Sequence, residues 1–352
     1  MAITVKSAPS GTPSAHENLW HVADSTNKAA SDFQYVWDIY KGGVLQARLK
    51  TRPEGANSYG KLDAAIVVRS LLADSIPPSM NYAAFGSFAA LGTDVLFVNY
   101  TMAVGESVTG DVSGNLVSGG YTAYNSIDAN LSTVSGGVMS SRPLQSSAVS
   151  GEPLIFTFLP SGTQTFNVTG ASTFSESASG AFTASFPVTT NETIEISGVG
   201  TYRFKLLCRS KYTPRTLMFL NRYGGWDSYT FALKSQRSIE ATRKMNEQND
   251  WHLVGDNMVN TSNQYVQREA RRVYATEYRT LMELNAYQTT TDEYIWLEEL
   301  ITSPAVYLWQ GNIWTPVMIT ETNYRPLNVL LDKGESIKLN IEFSSKNITQ
   351  YR

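Results

Sequence analysis

RTLMFLNRYGGWDSYTFALKSQR, residues Arg215–Arg237, is the stretch on which the fold reading turns. Leu217 and Phe219 alternate with their neighbours before its centre, and Tyr229, Phe231 and Leu233 alternate after it, the two-residue period of strands. Gly224-Gly225 lies between those runs, where a tight turn needs positive φ. A phosphate cradle would need a longer glycine pattern running into Lys-Ser/Thr at a helix start, and neither is present. The stretch therefore predicts an antiparallel hairpin whose aromatics pack on a neighbouring element. A second reading uses the same residues for recognition. Exposed Tyr223 and Trp226, beside Arg222, would stack on a sugar while Asn221 or Asp227 hydrogen-bonds its hydroxyls.

The sequence on either side extends the β reading. FQYVWDIYKGGVLQARLK predicts another hairpin, with Phe33, Tyr35, Trp37 and Ile39 on one face, Gln34, Val36 and Asp38 on the other, and Gly42-Gly43 at the turn. TRPEGANSYG is a loop, LDAAIVVRSLLAD a short amphipathic helix, and TDVLFVNYTM a returning strand. Further on, TTTDEYIWLEELITSP opens with Thr290-x-x-Glu293, a capping box, and Ser303-Pro304 ends the helix because proline cannot continue it. Ile295, Leu297, Leu300 and Ile301 supply its apolar contacts. Residues 264–281 fit a helix or a long twisted strand, and their β-branched and aromatic density favours the strand. TPVMITETNYRPLN and ESIKLNIEFSS read as two strands joined through Asp332-Lys333-Gly334.

The middle of the chain differs in kind. Residues 101–200 hold 44 Ser, Thr or Gly and eight charged residues, of which Arg142 is the one cation. That hundred carries −6 while the rest sums to +3. Alternating Phe, Val and Ile in FTFLPSGTQTFNVTG and GAFTASFPVTTNETIEISGVGTYRF argue for short strands over a disordered linker. The expected architecture is mainly β. A β-sandwich-like scaffold with one or two short helices (1–104 and 199–352) carries an inserted small all-β domain (105–198).

No catalytic constellation stands out. The single cysteine, Cys208, sits in an alternating run that suits a half-buried strand, and three scattered histidines, His16, His21 and His252, suit neither a nucleophile's base nor zinc. Glu298-Glu299 and Asp292-Glu293 are placed on a surface helix, where neighbours do not share a face. These residues predict neither an enzyme nor a cofactor. The net charge of −3 says little about partners, no polybasic run points to nucleic acid or a membrane surface as the main partner, and no stretch reaches ~20 apolar residues, so no membrane span is expected. The N-terminus lacks the pattern of a secretory signal.

Three blocks resemble tail-associated virion proteins of phages infecting Bacteroidota-type bacteria. They are FQYVWDIYKGGVLQARLKTRPEGANSYGKLDAAIVVRSLLAD, TLMFLNRYGGWDSYTFALKSQRSIEATRK, and TDEYIWLEELITSPAVYLWQGNIWTPVMITETNYRPLN. The second carries the most recognisable element, Leu220-Asn221-Arg222 and then Gly-Gly-aromatic-Asp-Ser-Tyr-Thr-Phe. The Ser/Gly/Thr-rich middle falls outside the likeness. The resemblance implies a structural ring, hub or collar subunit of the tail or head–tail connecting region. Such a subunit is made in the host cytoplasm, is located in the virion, and has other virion proteins and copies of itself as partners. The alternative is a receptor- or glycan-binding module of the tail. Trp309 and Trp314, on either side of Gly311, suit an interface core or equally the subunit's own core. Residues 203–283 carry 14 Lys/Arg against eight Asp/Glu, so a cationic part and the acidic middle suit a head-to-tail contact.

Overall fold

The computed structural model describes residues 3–11, 13–91, 93–108, 110–112, 117–127, 137–160, 164–169, 174–178, 180–187, 192–196, 200–207, 211–247, 251–260, 271–286, 290–320, 337–344 and 347–348. Cys208 and the Asp332-Lys333-Gly334 turn lie outside them. The protein is mainly β, a β-sandwich-like scaffold with short helices.

In the N-terminal part, β1 (Ile3–Ser7), β2 (Trp20–Ser25) and β5 (Gly60–Asp63) form one sheet. The second contains β3 (Gln34–Lys41), β4 (Val44–Thr51), β7 (Phe97–Val108), β8 (Asp111–Val112) and β9 (Val117–Tyr124). Tyr35, Trp37 and Ile39 alternate into the core between the sheets, where they meet Ala23, Leu62, Val98 and Tyr100. Helix α1 (Ala65–Ser70) buries Ala65 and Val68 against the same core. Gly42 and Gly43 both take positive φ at the β3–β4 turn. The opposite face of β3 is less polar in its surroundings than alternation predicts. Val36 and Asp38 are also buried, and Asp38 is neutralised by Arg48, which donates to both carboxylate oxygens at 2.7 Å.

The middle part is a small phenylalanine-rich sandwich. One sheet runs β10 (Gln145–Val149), β16 (Gly200–Leu207), β15 (Glu192–Ile196), β12 (Gln164–Thr169) and β13 (Phe174–Ala178). The other runs β11 (Ile155–Phe158), β14 (Phe182–Ser185) and β6 (Ser87–Ala90). Phe156, Phe158, Phe174, Phe182, Phe186 and Phe204 fill the space between them. Composition alone misplaces the unit's edges. The 104/105 boundary falls inside β7, which pairs with β3 and β9, while β6 comes from before that boundary and pairs with β14. Hydrogen-bond pairing sets these limits, and the Ser/Gly/Thr content runs past them.

The C-terminal part is an eight-stranded sheet. Its order is β18 (Trp226–Phe231), β17 (Arg215–Leu220), β23 (Val306–Gln310), β24 (Ile313–Ile319), β25 (Ile337–Phe343), β22 (Arg271–Ala286) and β19 (Gln236–Glu247), with β26 (Asn347–Ile348) also on β22. The two-stranded β20 (Trp251–Val254) and β21 (Asn257–Asn260) lie between β19 and β22 in sequence. The part of 264–281 that is described, from Arg271 onward, is strand. Helix α2 (Thr93–Leu96) precedes β7, and TTTDEYIWLEELITSP divides into α3 (Thr291–Trp296) and α4 (Glu298–Thr302). Thr290 Oγ1 accepts from the Glu293 N–H at 3.2 Å, the expected cap. Tyr294, Trp296, Leu297 and Leu300 then pack on Phe219, Leu308 and Leu339.

The 215–237 hairpin forms as predicted, with Leu217 opposite Tyr229 and Leu220 opposite Trp226. Its turn is longer than a Gly-Gly pair. The Asn221 side-chain oxygen accepts from the Tyr223 and Gly225 N–H groups, both at 3.0 Å, and only Gly224 of the two glycines has positive φ. Both faces of the hairpin are covered. Leu217, Phe219 and Phe231 enter the C-terminal core, while Met218, Leu220 and Trp226 meet Tyr82 and Leu96 from the N-terminal part and Met139 and Ile155 from the middle.

This junction leaves no room for side chains on its glycines. A Cβ on Gly224 would sit 2.2 Å from the Asn125 carbonyl oxygen, and one on Gly225 would sit 2.8 Å from that of Met139. At Gly43, φ is +80° and a Cβ meets nothing within 4 Å. Gly43→Ala is therefore expected to cost about 1 kcal/mol of strain, and Gly224→Ala clearly more because a backbone clash is added. Urea unfolding of the two variants measures this. Equal losses would show that the junction yields freely.

Candidate functional site

The residues singled out in the sequence do not form one exposed site. Trp226 is fully buried, its ring 5.8 Å from that of Tyr307, and its backbone N–H donates to Thr157 Oγ1 at 2.7 Å. It offers no face to a sugar, because β18, the edge strand of the C-terminal sheet, packs against Met139 and Ile155 of the middle part. Tyr223 is partly buried against the same junction. Trp309 and Trp314 face each other across β23 and β24 with ring centroids 4.8 Å apart, and both rings meet Tyr82. Both are partly buried against the apolar core at the junction.

Arg222 alone remains at the surface, its side chain 47% exposed, on the rim of a cleft of about 800 Å³. The cleft lies against α3 and α4 and is floored by Trp296. Ile295, Ile127 and Leu144 line it while remaining more than half exposed, at 53%, 56% and 52%. Asp292 and Glu298 add carboxylates. Ile295, predicted as an apolar contact of the helix, instead points into this opening.

The surface-helix reading of the acidic pairs fails for one member of each, because α3 and α4 are covered by different parts of the chain. Glu299 is largely buried. Ser141 donates its hydroxyl to Oε1, and the Arg222 N–H donates to Oε2 at 3.1 Å. Burial pushes the Glu299 carboxyl up, and those donors oppose the shift. Both of its oxygens are engaged in holding the 221–225 turn and the segment around Ser141 against α4.

Glu293 is fully buried and belongs to a charged cluster beneath the cleft. Its Oε1 accepts from the Ser147 N–H and hydroxyl, each at 2.7 Å. Arg142, the lone cation of the acidic middle, is buried with its guanidinium 4.5 Å from the Trp296 ring centroid and 5.3 Å from that of Phe156, and it donates to the Ser228 carbonyl. Asp227 Oδ2 accepts from Ser140 Oγ at 2.8 Å and from Trp296 Nε1 at 3.2 Å. Burial pushes Asp227 and Glu293 up, and the positive field of Arg142 opposes it in both. The cluster ties the 140–147 segment, β18 and α3 together. Sequence reading missed it because Arg142, Asp227 and Glu293 are far apart along the chain, and the one available signal was an isolated arginine in an acidic, low-charge stretch. Among the described residues no group of His, Cys, Asp or Glu is placed to hold a metal ion.

A second feature is an extended ribbon. β19, of 12 residues, has no buried residue and stands at the edge of the eight-stranded sheet, where among the described residues it pairs only with β22. Such an edge leaves a row of backbone donors and acceptors available to another chain. No helix among the described residues is long and apolar enough to cross a membrane. No protein-family model matches the chain, and no curated protein matches it.

The cluster sets a pH dependence whose sign is defined. A buried carboxyl with a raised pKa keeps its proton to higher pH in the folded chain than in the unfolded one. Its contribution is greatest below the ordinary carboxylate range and declines as pH rises through the folded value. Glu293→Gln keeps an acceptor for Ser147 and removes this titration, so its melting temperature is expected to fall less than that of the wild type between pH 5 and pH 8. Arg142→Ala leaves two buried carboxyls uncompensated and should cost about 3–5 kcal/mol near neutral pH. Thermal melts across that range check both. Parallel wild-type and Glu293→Gln profiles would count against a titrating Glu293.

Proposed function

We propose that this protein is a structural subunit of a phage virion, placed in the tail or head–tail connecting region and held by contacts with copies of itself and with other virion proteins. The observation that carries the reading is the exposed β19–β22 ribbon. An isolated two-stranded ribbon is marginally stable in water, and the part of β19 beyond the β22–β25 pairing, residues 239–247, makes an arm of about 30 Å (at ~3.4 Å per residue) that suits a chain completing its structure against a neighbour. The three blocks of family resemblance support the same reading. The first supplies the N-terminal hairpin and α1, the second the junction and the start of the ribbon, and the third β23 and β24 together with α3 and α4, the two helices that border the cleft.

The receptor- or glycan-binding alternative places its contact on Tyr223 and Trp226 or on the middle domain, and the burial of Trp226 speaks against the first of these. Trp226 is fully buried and Trp296 is 4% exposed, so neither presents a ring face for stacking on a sugar. As a structural subunit, the protein is expected to catalyse no turnover, and the engaged oxygens of Glu299 accord with that role.

A reconstruction of purified particles tests the proposal. Each copy is expected to bury well over ~1,000 Å² against neighbouring chains. Copies that each attach through one small patch and otherwise project into solvent would favour the receptor-binding alternative. Turnover of polysaccharide, peptidoglycan or ester that a single acidic substitution abolishes would replace the structural reading with an enzymatic one.

A further inference from the structure

The ribbon has two unlike faces. Residues opposite one another on paired strands share a face, and alternate residues return to it. Glu240 and Lys244 lie on one face with their partners Arg279 and Glu277, each ion pair 3.1 Å long. The other face carries Arg237, Ile239, Ala241, Arg243, Met245 and Glu247 of β19 with Thr276, Tyr278 and Thr280 of β22, and its acid, Glu247 at the strand end, is paired with Arg271 at 3.2 Å. It continues the core side of the sheet, because Met282, Leu284 and Ala286 have the same parity on β22 and are buried. Beyond Thr280 the core ends while the face runs on. Ile239 is 61% exposed and Met245 56%.

The α3–α4 cleft is complementary in both respects. Ile295, Leu144 and Ile127 offer uncovered apolar surface, and Asp292 and Glu298 offer carboxylates. Among the described residues, none of Arg243, Asp292 and Glu298 has an ion-pair partner. We propose that the core-side face of the β19–β22 ribbon seats in the α3–α4 cleft of a neighbouring copy of this chain, with Ile239 and Met245 against Ile295 and Leu144 and Arg243 against Asp292 and Glu298. Every copy carries one arm and one cleft. The contact is therefore heterologous, and successive copies join head to tail into a ring or an open array. The inference rests on the subunit reading above and names the surfaces that make the contact.

The test uses the full-length chain and analytical ultracentrifugation over rising concentration. The wild type is expected to self-associate. Arg243→Glu and Glu298→Arg should each weaken association by about tenfold or more, equivalent to ~1.4 kcal/mol, and the double variant should recover most of it. Ile239→Glu (arm) and Ile295→Glu (cleft) change exposed residues, so melting temperatures should be unaffected while each variant stays monomeric. Mixed together, they should form a 1:1 heterodimer that grows no further, since one intact arm and one intact cleft remain. Single-cysteine chains, Met245→Cys and Ile295→Cys in a Cys208→Ser background, should cross-link to each other and not to themselves. Arm-to-arm cross-links would replace the proposal with pairing of β19 edges. A wild type that stays monomeric at its highest soluble concentration overturns the contact, as does unchanged association in Ile239→Glu. Either result leaves the subunit reading to be judged by the particle reconstruction.

Discussion

The approach of the Gly224–Gly225 backbone to the carbonyls of Asn125 and Met139 is the contact on which the arrangement of the whole chain depends. A side chain at either glycine would occupy the space of those carbonyl groups. The turn is held in that position by hydrogen bonds on both sides. Asn221 Nδ2 donates to the Met139 carbonyl at 2.7 Å, and the Ile127 N–H donates to the Arg222 carbonyl at 2.8 Å. With the backbones this close, Trp226 is driven between Met139, Ile155 and Leu220, and a separate apolar core forms where the three parts meet. A buried junction of this kind makes the parts one cooperative body, because separating them would expose Trp226 and strand the Asn221 amide without partners.

The charged cluster beneath the junction follows a different logic. Arg142 is desolvated, a penalty that hydrophobic burial could have avoided. Its compensation comes from the Trp296 and Phe156 rings, the Ser228 carbonyl, and the fields of Asp227 and Glu293. Replacing such a set by apolar side chains would hold the fold equally well, but an arginine with directional partners accepts one docking of the middle sandwich on α3 and β18. Glu293 does the same from the other side. Its backbone starts the helix, while its side chain is drawn away from the capping box to Ser147.

The ribbon stands apart from both. β22 begins outside the core, meets β25 from Leu281 onward, and contributes to the apolar core from Met282 onward. The surface of β19 is polar and charged on one side, which limits indiscriminate edge pairing, and on the other apolar with two arginines and a terminal Glu247 held by Arg271. One strand pair thus combines protection against aggregation with a face suited to a single kind of neighbour. The cleft on α3 and α4 has the same division, apolar side chains bordered by uncompensated charge of the opposite sign.

Much of the fold was legible in the sequence because its signals are local. The alternation of Leu217, Phe219, Tyr229 and Phe231, the glycines at 42–43 and 224, the Thr290 cap and the Ser303-Pro304 stop depend on residues within a few positions of one another. Period two also settled that the strands form sandwiches, and β-branched density made the described part of 264–281 a strand. Period does not say whether the second face of a strand is covered. Val36 and Glu293 were therefore read as more exposed than they are, and Ile295 as more buried, whereas the packing of the hairpin aromatics on a neighbouring element was read as it is. Composition changes gradually, whereas domain limits follow hydrogen-bond pairing, and so β6 and β9 lie on the opposite sides from those that Ser/Gly/Thr content suggests. The Arg142 cluster and the cleft arise from residues brought together over more than a hundred positions of chain, and the uncovered face of the ribbon from two strands joined across a long connection. Only the tertiary structure decides these, because burial and charge compensation are properties of what packs against a residue, and that neighbour is not written beside it in the sequence.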